Sequence, residues 1–422
     1  MNDLFYGFME IQTAIVAFLA FYVAWNLGAN DVANAMGTSV GSKAITLKQA
    51  IIIAGVLEFL GAVLFGQEVT STLSTKIVNP ALFATTPQAL VMGMIAVLIS
   101  GGVWLQIATA RGLPVSSSHA IVGAIAGFSW VALGVGAIDW SSIGLITIGW
   151  ILTPIISGAI AAGFYSLIQH WIFNQPHPLN QLQEWIPWLS TILLSVFGII
   201  VLPTLTQPLS LFLRKQGFNI PPHDLTLFTG GIAVISLTLI SWRQLANSQI
   251  EPKIQGLFAK FQVLSACFVA FAHGSNDVGN AIAPLAVISY IYQQGRVPSD
   301  ELTIPLWILV LGAMGIVAGL AVWGKKVIAT IGENIISLEP SSGFCAELAT
   351  AVTILLASRL GLPVSTSHAL VGGVVGIGLV QQNIKSIKFS TIQNIAAAWL
   401  ITVPISAALS AAIFKIMATF WH

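Results

Sequence analysis

Gly28-Ala29-Asn30-Asp31-Val32-Ala33-Asn34-Ala35 returns later in the chain as Gly274-Ser275-Asn276-Asp277-Val278-Gly279-Asn280-Ala281. A second pair keeps the same order: Gly112-Leu113-Pro114-Val115-Ser116-Ser117-Ser118-His119-Ala120 returns as Gly361-Leu362-Pro363-Val364-Ser365-Thr366-Ser367-His368-Ala369. Asp31 and Asp277 stand 246 positions apart, Ser116 and Ser365 stand 249 apart, and so do Trp150 and Trp399. The chain therefore repeats itself, and what it repeats is polar and set in apolar surroundings.

Those surroundings decide the class. Of 422 residues, 16 are Lys or Arg and 15 are Asp or Glu, so 7% are charged, while 56% are hydrophobic. A soluble domain carries about 25% charged residues, and a surface this poor in charge could not stay in water. A soluble enzyme, a disordered protein and a nucleic-acid binder are excluded, and a net charge of +1 offers no polyanion-binding face. A polytopic membrane protein in a lipid bilayer remains. Cys267 and Cys345 lie in apolar stretches and form no metal or disulfide pattern. The first apolar run follows Asn2, Asp3 and Glu10 without a basic leader and reads as a membrane segment.

Apolar runs of about 20 residues, the length that crosses a ~30 Å hydrocarbon core, recur along the chain. Twelve are predicted: 11–38, 47–67, 88–109, 115–136, 141–169, 186–206, 225–242, 261–292, 303–323, 343–358, 364–381 and 389–418. They are continuous and not alternating, which predicts helices and not a barrel. Polar stretches at 26–34, 114–119, 273–280 and 363–368 predict helix breaks, tolerable in a membrane only where they line a cavity or pack on protein.

The expected fold is an all-α polytopic membrane protein of about twelve segments. A first five-segment repeat (1–170) and a second (259–422) flank a two-helix connector (171–258). Seven crossings before the second repeat would make it inverted, the sequence signature of a secondary transporter with a midplane site. With twelve crossings, Lys43, Lys48, Arg243, Lys253, Lys260, Lys325, Lys326, Lys385 and Lys388 share one side. Lys76, Arg214, Lys215, Arg296 and Lys415 share the other. The more basic side is expected to be cytoplasmic, which places both termini outside the cytoplasm. Trp171, Trp185, Trp188, Trp242 and Trp421 read as interfacial anchors.

The repeated residues suggest two chemistries. Asp31 and Asp277, flanked by Asn30, Asn34, Asn276 and Asn280, supply carboxylate and amide oxygens for a hard cation such as Na+, or a carboxylate for a proton. Ser116, Ser117 and Ser118, and Ser365, Thr366 and Ser367, follow a proline at a helix start. There, free N–H groups, hydroxyls and the helix dipole favour an anion. Two such starts from opposite faces could hold one tetrahedral oxyanion, with Asp31 and Asp277 also touching it. A carboxylate can accept a hydrogen bond from protonated phosphate but repels sulfate, so phosphate is favoured. Glu58 and Glu347 are further acids in apolar runs, and Arg111 and Arg359 precede the hydroxyl runs. All four are candidates for coupling or gating. His119 and His368 read as hydrogen-bonding groups, and His273 lacks a counterpart in the first half.

At these residues the chain resembles the inorganic phosphate transporter (PiT) family of sodium- or proton-coupled phosphate symporters. The likeness runs through 28–46, Glu58-Phe59-Leu60-Gly61, 271–285, 343–349 and both Pro-Val-Ser runs. The resemblance implies import of phosphate with Na+ or H+ as coupling ion and no other cofactor. It also implies outward termini, a homodimer, and functional weight on Asp31, Asp277, Glu58, Glu347 and the hydroxyls. The short middle region resembles that of compact prokaryotic members, which places the protein in an inner (plasma) membrane. The hydroxyl and amide supply favours Na+. A proton-coupled carrier, a carrier of sulfate or another oxyanion, and an intramembrane hydrolase using an Asp31/Asp277 dyad or a Ser–His pair remain as alternatives.

Overall fold

The computed structural model describes residues 2–113, 115–217, 221–247, 253–298, 302–334, 338–381 and 388–420. Pro114, Lys385 and Trp421, and the side chains of Lys253 and Lys326, lie outside the described set. Among the described residues the chain is helical and carries no strand, only an isolated bridge between Val78 and Ile138. The first half holds α1 (Asn2–Gly41), α2 (Leu47–Phe65), α3 (Gln67–Thr75), α4 (Pro87–Ala110), α5 (Ser117–Leu133) and α6 (Trp140–Ile168). The middle holds α7 (Pro178–Ile200), α8 (Leu202–Lys215) and α9 (Pro222–Asn247). The second half holds α10 (Lys253–Gln294), α11 (Leu306–Asn334), α12 (Pro340–Arg359), α13 (Thr366–Val380) and α14 (Phe389–Phe420).

Among the described residues ten helices are long and apolar enough to cross a membrane. The other two expected segments, 115–136 and 364–381, are the shorter α5 and α13, of 17 and 15 residues. At 1.5 Å per residue these rise about 26 and 22 Å, less than a hydrocarbon core. Two helices escape the hydropathy reading, polar α3 and the proline-containing α8. Starts follow local chemistry. Thr46 and Gln49 form a capping box at α2. Asp139 caps α6 by accepting from Ser142 N at 3.0 Å, a bond that holds its carboxyl below the usual range.

The expectation of four breaks is half corrected. α1 runs unbroken through 26–34 and α10 through 273–280, so these polar residues sit on intact helices. Asn, Asp and Ser are tolerated there because their side chains find partners across helices, leaving the backbone ladder whole. The chain does break between α4 and α5 and between α12 and α13, where Gly112 and Gly361 take the same left-handed φ of 65°. Glycine ends a helix this way without a Cβ penalty.

Packing repeats as the sequence does. α1 lies on α11 as α10 lies on α2, α5 on α14 as α13 on α6, and α1 and α10 also touch each other. The contacts match residue for residue. Gly123 packs on Val403 and Gly127 on Ala407, while Gly372 packs on Pro154 and Gly376 on Gly158. Gly28 abuts Ile316 and Gly319 abuts Trp25, while Gly274 abuts Glu58 and Gly61 abuts Phe271. Small residues one turn apart let helix backbones touch, which drives association where lipid removes the hydrophobic term. In the middle, α7, α8 and α9 pack mainly on one another, and α7 also touches α10 and α12.

A Cβ at Gly127 would fall 2.6 Å from Ala407 Cα and one at Gly376 2.8 Å from Gly158 Cα. Gly127→Ala and Gly376→Ala should each destabilise the fold by about 1–3 kcal/mol, seen as a lower melting temperature in detergent. Gly163→Ala, with nothing within 4 Å of the added carbon, should melt like the parent.

Candidate functional site

Two intact helices bring their polar turns together, and two short helices point their starts at the same place. On α1, Asn30, Asp31 and Asn34 are 2–3% exposed, and on α10, Asn276, Asp277 and Asn280 are 0–1% exposed. Ser116 and Ser365 have the same backbone angles (φ −91°, ψ 116°) and cap α5 and α13 by accepting from His119 N and His368 N, each at 3.3 Å. The first member of each hydroxyl run is therefore a cap, and Ser117, Ser118 and Thr366 meet the Asn-Asp turns.

Each Asn-Asp turn first fastens its own half. Asn30 Nδ2 donates to Thr109 Oγ1 (3.0 Å) and to the Leu113 carbonyl (3.3 Å). Asn276 Nδ2 donates to Ser358 Oγ (3.0 Å) and to the Leu362 carbonyl (3.2 Å). These bonds satisfy the carbonyls freed where the chain breaks. The second asparagine of each turn then crosses to the other half. Asn34 Nδ2 donates to Asp31 Oδ1 (3.2 Å) and Thr366 Oγ1 (3.3 Å), and Thr366 Oγ1 donates to Asp277 Oδ2 (3.1 Å). Asn280 Nδ2 donates to Ser117 Oγ (3.2 Å) and Ser118 Oγ (3.0 Å). Ser117 also faces the Asp31 carboxylate, Ser118 donates to the Val364 carbonyl, and Ser365 and Ser367 share a 2.9 Å bond.

With the amide N–H groups engaged, the oxygens stand unpaired. Asn30 Oδ1, Asp31 Oδ2, Asn276 Oδ1, Asp277 Oδ1 and Asn280 Oδ1 are buried without a hydrogen-bond partner among the described residues. Asp31 and Asp277 are close neighbours: with His273 they offer ligand atoms that all lie within 4.8 Å of one another. A dense set of buried carboxylate and amide oxygens is the donor set of a hard, weakly polarising cation.

The acids outside the repeat break its symmetry. His273 Nδ1 lies 3.2 Å from Glu58 Oε2 and its Nε2 lies 3.0 Å from Asp277 Oδ2, all three side chains being buried. The matched glycine contacts place Ile316 where Glu58 would be in the other half, and Leu27 precedes Gly28 as His273 precedes Gly274. Glu347 stands apart, accepting from Thr38 Oγ1, Ser39 Oγ (2.6 Å), Gln262 Nε2 (3.2 Å) and Ser265 Oγ (2.9 Å). Its oxygens are satisfied by neutral donors, so it clamps α12 to α1 and α10.

Arg359 donates from Nη2 to the Ile200 carbonyl and to Thr204 Oγ1, whereas Arg111 is exposed at the end of α4 and no side-chain bond ties it to either hydroxyl run among the described residues. His119 Nδ1 donates to the Trp399 carbonyl (3.3 Å) and His368 Nδ1 to the Trp150 carbonyl (2.9 Å). The two imidazole centroids are 4.8 Å apart. Ser118 and His119 thus face different partners, and no nucleophile–base pair forms there.

Thr109, Ser358, Thr38, Ser39, Gln262 and Ser265 join these networks without having been singled out in the sequence. Thr109 and Ser358 are separated by 249 positions, the offset of the hydroxyl runs, so aligning the halves past the motifs would have found them. The Glu347 donors are single polar residues in apolar helices and carry no such signal.

The chain matches the phosphate transporter family over residues 27–410. It is 40% identical over 416 residues to a protein of Haemophilus influenzae named a phosphate permease, covering 97% of each chain. It is also 40% identical to the inorganic phosphate transporter 2-1, chloroplastic, of Arabidopsis thaliana, covering 95% of this chain and 72% of that one. A solved structure titled the sodium-dependent phosphate transporter superposes with a TM-score of 0.88 at 35% identity, covering 97% of this chain and 99% of that one. These proteins are transporters, which removes the hydrolase alternative. The chain belongs to the phosphate transporter family.

Proposed function

We propose that the protein imports inorganic phosphate by cation symport, with Na+ as the coupling ion. Phosphate sits between the starts of α5 and α13, on Ser117, Ser118, Thr366 and Ser367, with Asp31 and Asp277 accepting hydrogen bonds from its protonated oxygens. Na+ sits on the unpaired oxygens of Asn30, Asp31, Asn276, Asp277 and Asn280, with Asn34 fixing Asp31. The observation that carries this reading is the set of five buried oxygens without donors, beside two hydroxyl-bearing helix starts. The sodium dependence named for the structural neighbour supports the choice of cation.

Two inverted repeats, 1–170 and 259–422, surround this site, with α5 counted as a crossing so that seven crossings precede α10. The protein works as a homodimer in a prokaryotic inner membrane, with both termini extracytoplasmic. Cation binding lowers the repulsion that phosphate meets, and phosphate in turn favours the cations, which is coupling in both directions.

Proteoliposomes with Na+ and pH gradients imposed separately test the coupling ion. Phosphate uptake should follow the Na+ gradient; uptake driven by the pH gradient alone would assign H+ instead, and sulfate competing equally with phosphate would make the protein a general oxyanion carrier. Asp31→Asn and Asp277→Asn should lose at least 90% of cation-driven uptake while eluting as folded protein, and transport at the parental rate by either would remove the ion site. The joint change Thr366→Ala/Ser367→Ala should raise the phosphate KM by roughly 10–100-fold, the weight of hydrogen bonds to a charged group. Ser116→Ala, which removes only a cap, should cost about 1 kcal/mol of stability and leave KM unchanged.

A further inference from the structure

Asp31 and Asp277 are buried, so a charged substrate needs a polar approach to them. One cavity leads from the protein surface to the wall of the site. Its volume is about 70 Å³, and it is lined by Phe65, Glu68, Thr204, Ser275, Ser358 and Arg359, among others. Its floor is shared with the site: Ser275 precedes Asn276, and Ser358 Oγ accepts from Asn276 Nδ2 at 3.0 Å. Its roof is Arg359, whose guanidinium lies 4.8 Å over the Phe65 ring and donates to the Ile200 carbonyl (2.7 Å) and Thr204 Oγ1 (3.1 Å).

Those partners are neutral, and among the described residues no carboxylate forms an ion pair with Arg359. Its forked donors are held beside three hydroxyls and no carboxylate contacts them among the described residues, the chemistry that takes a tetrahedral oxyanion in two-point contact. Glu68, in the same wall, can accept a hydrogen bond from a protonated oxygen of the bound group.

We propose that this cavity is a second, outer binding site for a phosphate group on the way to the buried one. The arriving oxyanion replaces Ile200 O and Thr204 Oγ1 as the partner of Arg359 and then passes over Ser358 and Ser275. This proposal rests on phosphate being the substrate. A free phosphate ion and a lipid headgroup carry the same chemistry, and the hydroxyl floor that adjoins Asn276 favours the free ion.

Kinetics and labelling test it together. Arg359→Gln should raise the phosphate KM roughly tenfold or more, with the maximal rate kept within about twofold, and Arg359→Lys should fall between because it keeps charge without the fork. A merely structural latch would lower stability or maximal rate at unchanged KM, and that result overturns the outer site. In a chain with Cys267→Ala and Cys345→Ala, Thr204→Cys in phospholipid-free detergent should react with a methanethiosulfonate, and inorganic phosphate should slow the reaction. Protection by a short-chain phosphatidic acid but not by inorganic phosphate assigns the cavity to lipid and also overturns the proposal. Failure of the parent protein to transport phosphate would refute the function itself, whereas parental transport with an unmoved Arg359→Gln KM refutes only the outer site.

Discussion

Four carboxyl groups, Asp31, Asp277, Glu58 and Glu347, are buried in helices of a membrane protein, and the side chain that meets two of them as a possible cation is His273. Charge in low dielectric must be paired or hydrogen-bonded, and each acid meets that demand differently. Glu347 takes four neutral donors. Glu58 lies against His273. Asp31 and Asp277 receive some donors but keep one oxygen each with none. The unbroken course of α1 and α10 follows from this, because a side chain that finds partners across helices does not need the backbone to unwind.

Duplication supplies the geometry, and the departures from it supply direction. The crossed bonds from Asn34 to Thr366 and from Asn280 to Ser117 and Ser118 make each half depend on the other for its hydroxyls, so neither can build the site alone. The replacement of Ile316 and Leu27 by Glu58 and His273 then loads one copy with charge that the other lacks. A carrier with two identical copies would have no reason to differ between its two approaches. Here the Asp277 copy also adjoins the Arg359 cavity.

The repeated motifs made most of this legible in the sequence, because polar residues in apolar helices are conspicuous and a fixed offset says which ones correspond. Hydropathy placed the long helices for the same reason. It could not place α3, whose Gln67-Glu68-Val69-Thr70 start is polar enough to pass for a loop, nor show α1 to be continuous at Asn30. The break expected there assumed that polar residues unwind a helix, and what prevents it is Thr109 and the Leu113 carbonyl, some 80 positions away. The network around Glu347 was hidden for a related reason: its donors come from α1 and α10 while Glu347 stands on α12, and only the fold brings them together.

Coulomb energies bear on the order of binding at the proposed site. Two charges about 4.8 Å apart, the limit within which Asp31 and Asp277 place their ligand atoms, repel by roughly 3 kcal/mol at an effective dielectric constant of 20. A phosphate anion placed between the aspartates, as proposed, would meet that penalty more than once. A cation on the unpaired oxygens reverses the sign of the nearest interaction. On the proposed site, the empty carrier would take cations before phosphate, and a carrier holding phosphate without them would be the least stable state of the cycle. Coupling of the proposed kind would need no separate device: the state that would leak substrate without its ions is the one that two buried aspartates disfavour.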